Sequence, residues 1–331
     1  MEIILAKQFK KALIFGISGQ DGSYLGQLLS KKNYEIHGTS RNVSTSTFKN
    51  LKELKILSDI VLHQVNPLDA NIVLNTIKKI KPDEIYNLSG QSSVSKSFFY
   101  PQETFQSITQ SSLNILDAIK LLSFSCRFYD ASSSECFGDT GNIASNEKTS
   151  FNPCSPYGVA KSSAFWLTKN YRDSFKIFAC SGILFNHESS LRPEKFVTQK
   201  IIKAAVKIYN KESIKLNLGN LSIKRDWGWA PDYVEAMWLI LQNSKPDDFV
   251  ISTGQLSSLE DFVKNVFLYL KLDWKEHTII NNSLLRPTEL KSSFGDSQKA
   301  KLTLNWEAKN KIKDVIVNMV DYEIKKYENK S

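Results

Sequence analysis

The chain has 331 residues, 41% hydrophobic and 23% charged, enough to bury a core as one large domain or two closely joined ones. Its formal charge of +9 is spread over lysines in helical stretches, without interleaved exposed aromatics or a helix-turn-helix or zinc signature, so a small anionic ligand is expected rather than nucleic acid. The apolar run Ile3, Ile4, Leu5, Ala6 is too short for a signal sequence or a membrane span, and Cys126, Cys136, Cys154 and Cys180 lack paired spacing; a cytoplasmic protein with reduced thiols, no membrane contact and no metal centre is expected.

The first predicted strand, 11–15, runs into Gly16, Gly19 and Gly22 and then a helix. Glycines at this GxxGxxG spacing let the backbone turn sharply and bring a pyrophosphate up to the helix N-terminus. The second strand, 34–39, is followed by Arg41, where an enzyme holding NAD tends to carry an acid for the ribose hydroxyls. A guanidinium suits a 2′-phosphate, so NADP is expected; the alternative is a solvated surface arginine. Strands 60–65 and 84–88 follow, separated by an amphipathic helix over 72–80. A second such helix, 113–122, precedes a strand over 127–132, and a further strand spans 177–185. The alternation predicts an α/β fold, a doubly wound parallel sheet with helices on both faces.

From about Asn186 the regularity gives way to loops, before helical 233–242 and a last strand, 249–253, that rejoins the sheet. The expected division is a nucleotide-binding domain of residues 1–186 and 226–256 and a smaller α+β substrate lobe of residues 187–225 and 257–331. That lobe ends on an amphipathic helix with Ile312, Val315, Ile316, Met319, Val320 and Ile324 on one face.

Tyr157 and Lys161 form a YxxxK at the start of a helix, and their spacing of four puts them on one face. A phenol that titrates near ~10 is a poor base at neutral pH unless positive charge stands beside it, which Lys161 and an oxidised nicotinamide would supply. Ser133, at the tip of the preceding strand, can share the hydrogen bond to a substrate alcohol. Glu135 lies two residues further, on the same side of an extended chain. Hydride chemistry alone needs no second base, whereas eliminating water does, so Glu135 points to a dehydratase; the alternative is a surface or helix-capping glutamate.

These motifs, with further blocks outside them, resemble the GDP-mannose 4,6-dehydratase family of extended short-chain dehydrogenases/reductases over almost the whole chain. The blocks are GISGQDGSYL at 16–25, IYNLSGQ at 85–91, ASSSE at 131–135, SPY at 155–157, GILFNHES at 182–189, FVT at 196–198, LGN at 218–220, RDWG at 225–228 and RPTE at 286–289. The resemblance implies a Rossmann-like fold, tightly retained NADP and a GDP-sugar held between two lobes, in a homodimer or homotetramer. It adds Gln20, Asp21, Asn66, Leu88, His187 and Arg192, with Tyr157 and Lys161, to the cofactor contacts. It assigns Asn186, Thr198, Lys200, Gly219, Arg225, Arg286 and Glu289 to the GDP-sugar, chemistry that suits arginines on a diphosphate and a glutamate accepting from hydroxyls. It also implies an internal redox cycle. Tyr157 takes the C4 hydroxyl proton as hydride leaves C4, Glu135 removes the C5 proton, water leaves C6 with Glu135 or Ser133 assisting, and hydride returns to C6.

The sequence departs from the family pattern at several points. Ser133 replaces a threonine, Asn42 and Leu191 each replace one arginine of a pair, and Asn66 replaces an aspartate expected at the adenine amine, where its carbonyl can still accept. Three alternatives stay open: the same dehydration on a GDP-manno-heptose, a C4 reductase or epimerase, and a nucleotide-binding regulator without turnover.

Overall fold

The computed structural model describes residues 9–284 and 287–329. In the first half of the chain strands and helices alternate: β1 (Lys11–Phe15), α1 (Gln20–Lys31), β2 (Glu35–Ser40), α2 (Lys49–Glu53), β3 (Ile60–Gln64), α3 (Ala70–Ile80), β4 (Glu84–Asn87), α4 (Val94–Phe99), α5 (Pro101–Phe105), α6 (Ser111–Leu122), β5 (Arg127–Ser133), α7 (Pro156–Phe175) and β6 (Phe178–Leu184). The second half continues with β7 (Asn186–Glu188), α8 (Val197–Tyr209), β8 (Leu216–Leu218), β9 (Lys224–Arg225), β10 (Trp227–Trp229), α9 (Ala230–Gln242) and β11 (Phe249–Ile251). It ends with β12 (Ser257–Ser258), α10 (Leu259–Tyr269), α11 (Trp274–His277), β13 (Thr278–Ile280), β14 (Ser292–Ser293), α12 (Gln298–Leu304) and α13 (Ile312–Glu328).

Seven strands form one parallel sheet in the order β11-β6-β5-β4-β1-β2-β3, the doubly wound arrangement expected from the alternation. Residues 12–15 of β1 are fully buried because the strand is covered on both faces. Its alternate side chains go to different cores. Ala12 and Ile14 pack with Leu25 and Leu29 of α1 and Met237 and Ile240 of α9. Leu13 and Phe15 pack with Val73 and Ile77 of α3 and Ile115 and Ile119 of α6. A period of two along the strand therefore produces the two helical layers.

A separate core joins α8, α10 and α13 through Ile201, Val206, Phe262, Val266, Ile316 and Met319, among others. The stretch after Asn186 is less irregular than its sequence suggested, since α8 spans Val197–Tyr209 and buries Ile201, Ile202, Ala205, Val206 and Ile208 at helical spacing. The strand expected over 249–253 stops at Ile251, because the amide and hydroxyl of Thr253 turn to the Asp226 carboxylate at 3.0 and 2.6 Å. Ala300, Trp306 and Ala308 pack into the core of the large sheet, although the sequence division groups their segment with the smaller lobe. No helix among the described residues is long and apolar enough to cross a membrane, and all four cysteines are free.

Candidate active site

The strand order reverses between β1 and β4, so the loops leaving their C-terminal ends diverge and open a crevice there. Gly16 leaves β1 with φ +86°, and a Cβ on it would stand 2.8 Å from the Leu88 carbonyl oxygen beyond β4. A Cβ on Gly22 would meet the Gly16 oxygen at 2.3 Å. Only glycine permits this tight turn, which aims the free N–H groups of α1 outward. That cradle fits the diphosphate of a dinucleotide.

Gln20 and Asp21 open α1 and are stitched to the segment after β6. Gln20 Nε2 donates to the His187 carbonyl oxygen at 3.2 Å and to Asp21 at 3.0 Å, while the Ser189 hydroxyl donates to Gln20 Oε1 at 2.7 Å. His187 Nδ1 lies 2.7 Å from the Phe185 carbonyl oxygen and Nε2 lies 3.0 Å from Asp21 Oδ2. Both partners only accept, so both ring nitrogens carry protons and His187 is an imidazolium. Burial opposes the charge on each group. The partnership overcomes it, raising the His187 pKa above 6.5 and lowering Asp21 to about 2. The imidazolium also stacks on Tyr233, with centroids 4.5 Å apart.

A cleft of roughly 400 Å³ opens beside this web and brings together most of the expected residues. On the sheet side it is lined by Asp21, Leu88, Ser133, Glu135, Tyr157 and Lys161. The segments after β6 contribute Asn186, His187, Arg192, Thr198, Lys200, Gly219, Arg225 and Glu289 to the same lining. Arg41 and Asn66 are exposed just beyond β2 and β3 and do not line this cleft. Arg286 lies outside the described residues.

Ser155 starts α7 by accepting from the Gly158 amide at 3.0 Å, with Pro156 in the first turn. This frames Tyr157 and Lys161 one turn apart. The Lys161 ammonium donates to the Ala131 carbonyl oxygen at 2.6 Å and stands 6.0 Å from the Tyr157 ring centroid. Burial raises the Tyr157 phenol above its ordinary 10, and Lys161 and a hydrogen bond with Ser133 pull it only partly back. One expectation needs correcting: β5 ends at Ser133, and Glu135 sits in a 3-10 turn over Ser134–Cys136 rather than in an extended chain. The turn forms because the Ser133 hydroxyl accepts from the Glu135 amide at 3.3 Å, and both side chains still line the cleft.

Within the segments after β6, buried Glu188 accepts from the Thr198 hydroxyl at 2.7 Å and lies 3.0 Å from Arg192 Nε, while the Arg192 guanidinium covers Phe196 at 3.8 Å. Lys200 donates to the Asn217 carbonyl oxygen at 2.6 Å. Arg225 donates to the carbonyl oxygens of Leu290 at 2.8 Å and Lys224 at 2.9 Å. Sequence reasoning missed Lys195 and the serine-rich run from Ser89 to Ser95, which also line the cleft. That polar run directly follows the buried β4, which was the available signal. It also missed a π-turn at Gln106–Gln110, where Ile108 packs against Tyr157, Ala160 and Ala164 and the Thr109 hydroxyl donates to the Ala160 carbonyl oxygen at 3.0 Å.

Residues 13–319 match the family model described as GDP-mannose 4,6 dehydratase. The chain is 41% identical over 330 residues to GDP-mannose 4,6 dehydratase 1 of Arabidopsis thaliana, covering 97% of this chain and 91% of that one. It is 40% identical over 345 residues to GDP-mannose 4,6 dehydratase of Homo sapiens, covering 97% and 93%. Among solved structures, dTDP-glucose 4,6-dehydratase from Streptomyces venezuelae with NAD bound is similar at a TM-score of 0.85 and 15% identity, covering 96% and 98%. RMD from Pseudomonas aeruginosa complexed with NADPH is similar at 0.79 and 18%, covering 96% and 99%.

Proposed function

The chain belongs to the GDP-mannose 4,6-dehydratase family, and we propose that its own cleft carries out that hydro-lyase reaction with NADP, converting GDP-mannose to the 4-keto-6-deoxy sugar. What carries this reading is that Ser133, Glu135, Tyr157 and Lys161 line one wall of one cleft, beside a glycine turn shaped for a dinucleotide. The fold binds NAD or NADPH in the related structures. The preference for NADP rests on Arg41, exposed at the β2 end where a ribose phosphate would lie; Asn66, exposed beyond β3, would meet the adenine of either cofactor.

Bound NADP would accept hydride from C4 of the sugar and return it to C6. The protein supplies the proton transfers. Ser133 and Tyr157 hold the C4 hydroxyl, and Tyr157 accepts its proton as the phenolate, which forms once positive charge beside it offsets the effect of burial. The resulting C4 ketone acidifies C5, whose proton Glu135 takes, and Glu135 or Ser133 protonates the departing C6 hydroxyl; as hydride returns to C6, C5 takes up a proton that balances the one Tyr157 removed. Asn186, Thr198, Lys200, Gly219, Arg225 and Glu289 would hold the GDP-sugar, with Arg225 as a diphosphate partner; Arg286, assigned the same role by the family resemblance, lies outside the described residues. Gly16, Gly19, Gln20, Asp21, Gly22, Leu88, His187 and Arg192 would hold the cofactor.

The division into a dinucleotide domain and a sugar-nucleotide lobe is supported by the separate cores of the large sheet and of α8, α10 and α13, although Ala300, Trp306 and Ala308 pack into the first of these. A homodimer or homotetramer accords with the apolar groove formed by Pro101, Phe105, Pro153 and Val159, and with Phe99 and Trp166, which are 77% and 54% exposed.

The test is to incubate purified protein with GDP-mannose and, separately, GDP-manno-heptose without added NADPH, following loss of water by mass spectrometry. Dehydration of GDP-mannose is expected. Reaction of the heptose alone, or turnover only with consumption of NADPH, overturns the assignment. Glu135→Gln should lower kcat by about 100-fold or more while leaving cofactor binding intact; unchanged product formation would remove Glu135 from the mechanism.

A further inference from the structure

Asp226 follows Arg225 and is fully buried, yet no cation pairs with it among the described residues. Its carboxylate instead accepts from neutral donors on two separate segments. Oδ1 takes the Thr253 amide at 3.0 Å and the Thr253 hydroxyl at 2.6 Å; Oδ2 takes the Gly254 amide at 2.9 Å and, more weakly, the Gly295 amide at 3.5 Å. Burial pushes the carboxyl up to about 6, and these donors pull against it, so at neutral pH the group is an ionised acceptor.

The segments it joins meet at the junction of the two lobes. Thr253 and Gly254 follow β11, the outermost strand of the large sheet. Gly295 follows β14, which pairs with β9 so that Ser293 lies opposite Arg225. Gly295 also packs tightly beside the residue that precedes Asn186, since a Cβ there would meet the Phe185 ring at 2.6 Å. Consecutive residues of an extended chain point to opposite sides. Arg225 lines the cleft and its neighbour is anchored away from it, so fixing one sets the direction of the other.

We propose that Asp226 is a positioning residue for the sugar nucleotide: by clamping the Arg225 strand to the end of β11, it sets the Arg225 backbone at the cleft, where the carbonyl oxygens of Lys224 and Leu290 orient the guanidinium. The inference rests on the reading of Arg225 as a diphosphate contact. A contact to the diphosphate is remote from C4, C5 and C6 and binds ground and transition states alike, so losing its alignment raises KM and leaves kcat nearly unchanged.

The experiment uses the full-length, cofactor-loaded protein and compares Asp226→Asn, Arg225→Ala and the double variant, measuring KM and kcat for GDP-mannose and the Kd of GDP-mannose by calorimetry. The amide of Asp226→Asn turns a donor toward N–H groups. KM and Kd should rise about tenfold, the effect of roughly one lost buried hydrogen bond, with kcat within about twofold. In the Arg225→Ala background the same substitution should add little, since contacting residues that act through one another are not additive. Additive effects, or a fall in kcat at constant KM, would reduce Asp226 to a structural residue and overturn the proposal. If Arg225→Ala leaves GDP-mannose affinity unchanged, the diphosphate reading itself fails. If Arg225→Ala weakens binding and Asp226→Asn does not, only the positioning role fails. Should Asp226→Asn not fold, Thr253→Val and Thr253→Ser decide. A severalfold rise in KM for valine that serine restores supports the clamp, and equal, wild-type values for both refute it.

Discussion

His187 shows how a residue's neighbours settle its chemical state. A lone histidine would be largely neutral at pH 7, but here its two ring nitrogens face a carbonyl oxygen and a carboxylate, which fixes both protons. The pH dependence follows from the two shifts. Because the folded pKa of His187 is raised, its contribution to stability is complete below 6.5 and is lost as pH rises through the higher folded value. Because Asp21 is lowered from 3.8 to about 2, its contribution is present above 3.8 and lost as pH falls toward 2. The pair therefore supports the fold most between 3.8 and 6.5. Urea unfolding of wild type and Asp21→Asn should differ most near the middle of that window, and the gap should shrink on the alkaline side. A difference independent of pH would contradict the imidazolium assignment. None of this was legible locally, since Asp21 and His187 are 166 positions apart.

At the scale of elements, the strand-turn-helix at Gly16 to Gly22 is the part of the molecule most fully determined by short-range sequence. Gly22 is required by contacts within the turn itself, since a methyl on it would stand 2.3 Å from the Gly16 oxygen and 2.8 Å from the Ile17 Cα, backbone atoms that cannot move aside cheaply, whereas Gly16 is required by its φ of +86° and by Leu88 beyond β4. Gly22→Ala should cost roughly 1–3 kcal/mol of stability by overpacking and weaken dinucleotide binding. Thermal unfolding and cofactor retention through gel filtration would check this, and a variant that keeps its cofactor would show that the turn has slack. The β5 end is a counterexample. Alternation along an extended strand predicted a shared side for Ser133 and Glu135, but the serine hydroxyl captured the Glu135 amide and wound the chain into a 3-10 turn. The convergence survived for a different reason than the one inferred.

At the scale of the whole molecule, the C-terminal segment returns to the core of the large sheet before the last helix leaves it. Trp306 is 2% exposed, donates from Nε1 to the Asp232 carbonyl oxygen at 3.0 Å and meets Tyr233 edge-on at 6.0 Å. Tyr233 in turn stacks on His187. Trp306→Ala should cost about 3–5 kcal/mol, the range for removing a buried large aromatic. One cooperative transition moved to lower temperature is expected in calorimetry. Two resolved transitions would mean that the lobes unfold independently and that this return is not what couples them.

By itself the sequence determined what depends on near neighbours: strand and helix periodicity, the glycine turn, the frame of Tyr157 and Lys161 on one helix, and the family pattern of blocks along the chain. These are legible because the forces concerned act over one turn of helix or one pleat of strand. The tertiary structure alone decided what depends on segments far apart in the chain. It put Ser133, Glu135 and Tyr157 on the same cleft as Arg225, charged His187 through Asp21, and anchored Asp226 with donors from Thr253, Gly254 and Gly295. A buried polar group must find its partner wherever the packed chain happens to present one, and that choice is made by the completed core rather than by the residues on either side.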